Sequence, residues 1–151
     1  MKIAVVEDNF DTADRIVECI ESSFPNADVL WFPSSKSFSN LIEGGDLTNL
    51  DLIVLDIMLR MELLRADVSI DETVLDGVGS VSQGLSLAQS LRESPLHCQI
   101  PIVFFSIRSE QELIDEGHEG FNCRRGYAQK AMSDEDGSDL EALMQQIRKI
   151  A

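Results

Sequence analysis

The run Leu52-Ile53-Val54-Leu55 constrains this chain more than any other stretch, because it is wholly apolar and ends abruptly in the acid Asp56. Its lack of alternating polar residues excludes a strand with one wet face. The run therefore reads as a strand buried on both faces, as in a parallel sheet covered by helices. A carboxylate resists burial. Open α/β sheets nevertheless bind ligands at the carboxyl ends of their strands, where Asp56 falls. Taken alone, Asp56 is read equally well as a cap or a turn residue.

The flanking sequence repeats the pattern. Lys2 to Val6 is a second short, β-branched run, followed at once by Glu7-Asp8-Asn9. Ala13, Ile16, Val17 and Ile20 fall at helical spacing, with Asp11 or Thr12 as the expected cap and Pro25 as a stop. Ala27 to Phe32 reads as the next strand, with Trp31 packing at the sheet edge. Ser34 or Ser35 caps a short helix carrying Phe38, Leu41 and Ile42, which Gly44-Gly45 ends. Asp51 to Asp56 is the third strand. Helical spacing resumes with Leu85, Leu87, Ala88 and Leu91, and Ile100 to Phe105 is a fourth strand ending in Ser106. Leu113 and Ile114 belong to a short helix that stops near Gly117. A fifth strand is expected within Gly120 to Tyr127, interrupted at Arg124-Arg125-Gly126, and a last helix starts near Ser138. Strands alternating with helices imply βαβ units, hence a doubly wound parallel sheet.

Charge and length exclude several roles. The 151 residues suit one domain, 1–151, with its own core. Twenty-seven acids against twelve bases give a net charge of −15, which repels nucleic acid and anionic lipid. No nucleic-acid partner is expected, and no apolar run approaches a membrane span. Cys19, Cys98 and Cys123 are an odd set without a CxxC pair, which reads as reduced thiols in a cytoplasmic protein. His97 and His118 lack partners at catalytic or metal-ligand spacing and read as surface residues.

In such a sheet Glu7-Asp8, Asp56 and Ser106 face one crevice, and Lys130 follows the fifth-strand region. Clustered carboxylates repel unless a cation sits between them, and an all-oxygen set with open positions suits Mg²⁺. Asp56 is then placed to attack phosphorus, with Ser106 and Lys130 binding the phosphoryl oxygens.

An acid pair after the first strand, Asp after the third, Ser after the fourth and Lys after the fifth together resemble the receiver domain of two-component response regulators. The resemblance spans nearly the whole chain. It implies a flavodoxin-like sheet of order 2-1-3-4-5 and a phosphoacceptor at Asp56. It further implies Asp8 as a direct Mg²⁺ ligand, Glu7 holding the ion through water, and the Met58 carbonyl completing the protein ligands. Ser106 resembles the hydroxyl that moves onto the phosphoryl group, and Lys130 the lysine that pairs with it. Tyr127, three residues earlier, resembles the aromatic switch. The implied partners are a histidine kinase or phosphotransfer protein and a downstream protein effector, in a stand-alone domain of a phosphorelay. Such a domain takes part in its own phosphoryl transfer and is not otherwise an enzyme.

The chain also departs from the family's pattern. Arg60 and Met61 stand where proline and glycine usually follow the acceptor, Ala131 where proline follows the lysine, and the bulky Ile107 where a small residue follows the hydroxyl. The segment of about 60–83 is longer than usual and holds Leu63, Leu64, Val68, Ile70, Val74 and Leu75. Six large aliphatics suit a partly ordered flap, packed near the phosphorylation site or onto a partner, better than a bare loop. Ile107 and the insertion leave open a pseudo-receiver, an interaction module with little phosphorylation. A haloacid dehalogenase-like phosphatase needs a second Asp two residues after the nucleophile, where Met58 stands. A flavin or dinucleotide binder needs a phosphate loop that Glu7-Asp8 would repel.

Overall fold

The computed structural model describes residues 1–45, 49–59, 82–132 and 137–151. The expected flap at about 60–83 and the acidic run 134–136 therefore lie almost wholly outside the described residues. Five parallel strands form one sheet: β1 (Lys2–Val6), β2 (Asp28–Phe32), β3 (Leu52–Leu55), β4 (Ile102–Ser106) and β5 (Arg124–Gln129). Their order is β2-β1-β3-β4-β5, the expected flavodoxin-like topology. Among the described residues the helices are α1 (Phe10–Ser23), α2 (Ser35–Glu43), α3 (Ser82–Glu93), α4 (Glu110–Glu116) and α5 (Ser138–Ile150).

Strand periodicity divides the core into two layers. Ala4 and Val6, Ile53 and Leu55, and Ile102 and Phe104 face one way and pack with Phe38, Leu85, Leu91 and Leu113 of α2, α3 and α4. Ile3 and Val5, Leu52 and Val54, and Val103 and Phe105 face the other way and meet Ile16, Ile20, Leu143, Met144 and Ile147 of α1 and α5. All four residues of β3 are buried, as its unbroken apolar run requires. Burial on both faces also fixes the register, since a slip by one residue would exchange the two layers.

The structure corrects two local expectations. Helix α1 begins earlier than its apolar spacing suggests, and Asn9, rather than Asp11 or Thr12, caps it: the Asn9 side chain accepts from Thr12 N at 2.9 Å. The fifth strand, expected within Gly120 to Tyr127, runs from Arg124 to Gln129, because Glu119–Cys123 winds into a 3₁₀ turn. What reads in sequence as an interruption is a bulge. Ile102 pairs with Arg124 and Val103 with Gly126, leaving the exposed Arg125 as the extra residue. An edge strand tolerates these charges because one side stays open. Arg124 lies over the Phe121 ring at 4.2 Å and pairs with Glu110 at 3.0 Å. Ser34 and Ser109 cap α2 and α4, each as half of a reciprocal capping box.

Loss of the Asn9 cap should destabilise the fold. Asn9→Ala is expected to cost about 1 kcal/mol in urea unfolding, against less than about 0.5 kcal/mol for Thr12→Ala. The reverse ranking would restore the later helix start.

Candidate functional site

Three strand ends converge at one edge of the sheet. The turn after β1 carries Glu7 and Asp8, Asp56 follows β3, and the chain after β5 carries Lys130. One carboxylate oxygen each from Glu7, Asp8 and Asp56 lies within 4.8 Å of the others, the only such group among the described residues. Glu7 and Asp56 are buried, and Asp8 is half-buried. The Lys130 ammonium donates to Glu7 Oε2 at 2.5 Å and to Asp56 Oδ2 at 2.9 Å. Parallel pairing with β4 carries Lys130 here: its amide donates to the Ser106 carbonyl at 2.8 Å.

The second oxygens of Asp56 and Glu7 are held from the backbone. Met58 N donates to Asp56 Oδ1 at 3.0 Å, and Asn9 N to Glu7 Oε1 at 3.1 Å. Ser106 is fully buried, and its hydroxyl accepts from Arg108 N at 3.4 Å. Tyr127 is half-buried, edge-on to Phe121 at 5.7 Å, with its hydroxyl donating to the Arg108 carbonyl. Burial pushes that phenol up to about 12, although hydrogen bonding with Ser106 opposes the rise. The bulky Ile107, next to Ser106, is exposed.

Two buried carboxylates share one ammonium, and the electrostatics follow. Burial alone would lower Lys130, but the charges of Asp56 and Glu7 outweigh it and raise it. Burial and the Asp56 charge push Glu7 up to about 7, with Lys130 only partly offsetting them. Carboxylate oxygens crowded so that one of them gains proton affinity suit a divalent cation, which offsets the same repulsion.

No protein-family model matches this chain, and no curated protein sequence matches it. Solved structures do. The chain is similar to the signal receiver domain of a DNA-binding response regulator from Colwellia psychrerythraea 34H, at 16% identity and a TM-score of 0.63, over 99% of this chain and 98% of that one. Similarity to the chemotaxis response regulator CheY4 of Vibrio cholerae is 13% identity and TM-score 0.65, covering 99% and 98%. For the Mn²⁺-bound form of response regulator Rcp1 the values are 16% and 0.66, covering 98% and 91%. The chain has the receiver-domain fold.

On that fold Glu7, Asp8, Asp56 and Lys130 come together, and Ser106 and Tyr127, on the adjoining β4 and β5, each bond to the Arg108 backbone. Met58 adjoins them through its amide. Two supporting residues escaped sequence reasoning. Trp31 lies at the sheet edge as expected, but its Nε1 also donates to the Glu7 carbonyl at 2.8 Å, which pins the acid-pair turn. Gly84, in the first turn of α3, donates its amide to the Ile57 carbonyl at 3.1 Å. A Cβ there would lie 2.2 Å from the Asp56 carbonyl oxygen and 2.5 Å from Ile57 Cα. A glycine inside a helical pattern is the sequence signal for such a close approach. Among the described residues no helix is long and apolar enough to cross a membrane.

Gly84→Ala must move backbone on one side or the other, and should destabilise the fold by about 2 kcal/mol or more in chemical unfolding. Without metal, the raised Glu7 favours the folded state fully below its unfolded value of 4.5. That contribution fades as pH rises through about 7. A cation must displace the Glu7 proton, so the rise in melting temperature on adding MgCl₂ should be larger at pH 8 than at pH 6. Asp8→Ala should abolish it, and an undiminished shift in that variant would place the ion at another acidic patch.

Proposed function

We propose that this chain is a response-regulator receiver that accepts a phosphoryl group on Asp56. The observation that carries the reading is the Lys130 ammonium, held between Glu7 and Asp56 beside the Asp8 carboxylate. A structural ion pair needs one carboxylate. Three carboxylates around one cation suit a site that takes up a second cation and an anion.

Asp56 is the nucleophile. One of its oxygens bonds to phosphorus as the bond to the leaving group breaks; with phosphoramidate the P–N bond breaks and ammonia departs. Mg²⁺, held by Asp8 and Asp56, by Glu7 through water and by the Met58 carbonyl, would offset charge on the phosphoryl oxygens. Lys130 turns from Asp56 to pair with one of those oxygens, and Ser106 donates its hydroxyl to another. Ser106 and Tyr127 both bond to the Arg108 backbone, the hydroxyl accepting from its amide and the phenol donating to its carbonyl, so movement of the hydroxyl changes the surroundings of the phenol. That coupling is the switch. The donor is a histidine kinase or phosphotransfer protein, and the readout is contact with a protein effector. Apart from its own phosphoryl transfer, the chain catalyses nothing in this reading, and the −15 charge argues against nucleic acid as its target.

Incubation with Mg²⁺ and phosphoramidate should add one phosphoryl group, seen by intact mass and lost on mild base treatment. Asp56→Asn should remove it. Persistence of the adduct in Asp56→Asn would place the acceptor elsewhere. No adduct in the wild type under any Mg²⁺ concentration would favour the pseudo-receiver.

A further inference from the structure

Lys130 is placed by its backbone, and one of the two pins on that backbone comes from a buried acid outside the site. Its own amide is held by the Ser106 carbonyl. The next amide, Ala131 N, donates to Asp139 Oδ2 at 3.1 Å. Asp139 lies in the first turn of α5 and is buried. Its other oxygen accepts from Leu140 N at 2.8 Å and lies 3.9 Å from the Arg15 guanidinium of α1.

The ordinary use of an acid in a first helical turn accounts for only half of this. Gly137, at the N-cap with φ 66°, offers no side chain, so an acid that accepts a first-turn amide and meets the helix dipole is expected there. That role occupies Oδ1. It does not require Oδ2 to reach back eight residues to the amide beside Lys130. Nor does it require burial, which costs a carboxylate its hydration. The bond also depends on residue 131 having an N–H, which alanine supplies and proline cannot.

We propose that Asp139 is the positioning residue for Lys130, clamping the chain after β5 to α5 through the Ala131 amide so that the ammonium stays aimed at Glu7 and Asp56. Through Arg15 the same carboxylate ties α1 to that clamp. The proposal rests on the receiver reading for its kinetic consequence and on hydrogen bonding alone for its geometry, so the two can fail separately.

The kinetic arm follows Asp56 phosphorylation by phosphoramidate. Asp139→Ala should slow it about 10-fold, while Asp139→Asn, which keeps one acceptor oxygen, should recover most of the rate. The MgCl₂-induced melting shift should survive in Asp139→Ala, because the carboxylates around the cation are untouched. In a Lys130→Ala background, Asp139→Ala should add no further slowing, since its effect passes through the lysine. Equal slowing in both backgrounds would overturn the proposal.

The geometric arm is NMR on the whole chain and needs no phosphorylation. Ala131 amide exchange should be slow in the wild type and Asp139→Asn and fast in Asp139→Ala, with the Lys130 ammonium resonance shifted only in the last. Unchanged Ala131 protection in a folded Asp139→Ala protein would overturn the clamp. A wild type that takes no phosphoryl group would sink the receiver reading and leave this arm to decide on Asp139.

Discussion

One ammonium stands between two buried carboxylates, and the described structure is arranged to make that possible. Lys130 lies 123 residues from Glu7 and 74 from Asp56 in sequence, yet touches both. Taking three ionised groups out of water costs several kcal/mol each, and their mutual attraction repays it only when geometry is good. An apolar trio in the same place would stabilise the fold as well or better. The excess of negative charge left by three carboxylates around one ammonium is of the kind that could hold a further cation.

The sheet makes this arrangement inexpensive to build. Parallel strands with helical crossovers bring every carboxyl end to the same edge, so acids placed after β1 and β3 meet without any special loop. The three central strands β1, β3 and β4 are buried on both faces, which fixes their register and hence the height at which each polar residue emerges. Rigid neighbours then refine the positions. The Trp31 indole holds the Glu7 carbonyl, the Gly84 backbone fits against Asp56 and Ile57, and the Asp139 carboxylate holds the amide after Lys130. None of these three belongs to the polar constellation itself. All three act on backbone and leave the polar side chains to one another.

Legibility in the sequence varied with how local the signal was. The first strand was legible to its ends, because Lys2 and the acid pair bracket one apolar run. The third was legible in kind, because four apolar residues in a row tolerate only one environment. The fifth was legible only as a stretch: it occupies the second half of Gly120 to Tyr127 and runs two residues beyond it, to Gln129. Gly120 and Phe121 are buried like strand residues, but they are so within a 3₁₀ turn packed on α3, and the two arginines belong to a bulge. Burial and strand conformation coincide in a central strand and part company at an edge. The α1 cap was missed for a related reason: apolar spacing marks the face of a helix and not its first residue, and Phe10 sits exposed at its start.

The sequence by itself determined the layered α/β architecture and the identity of the polar constellation, since both follow from short-range patterns: apolar runs of strand length, helical spacing between them, and an acid, a hydroxyl or a lysine at the ends. Tertiary structure alone decided how those groups share charge. That Glu7 competes with Asp56 for Lys130, that burial raises its proton affinity, and that Asp139 and Gly84 stand behind the site all depend on distances between segments far apart in the chain. Electrostatic energy in a low-dielectric interior changes steeply over an ångström, and no sequence pattern carries an ångström.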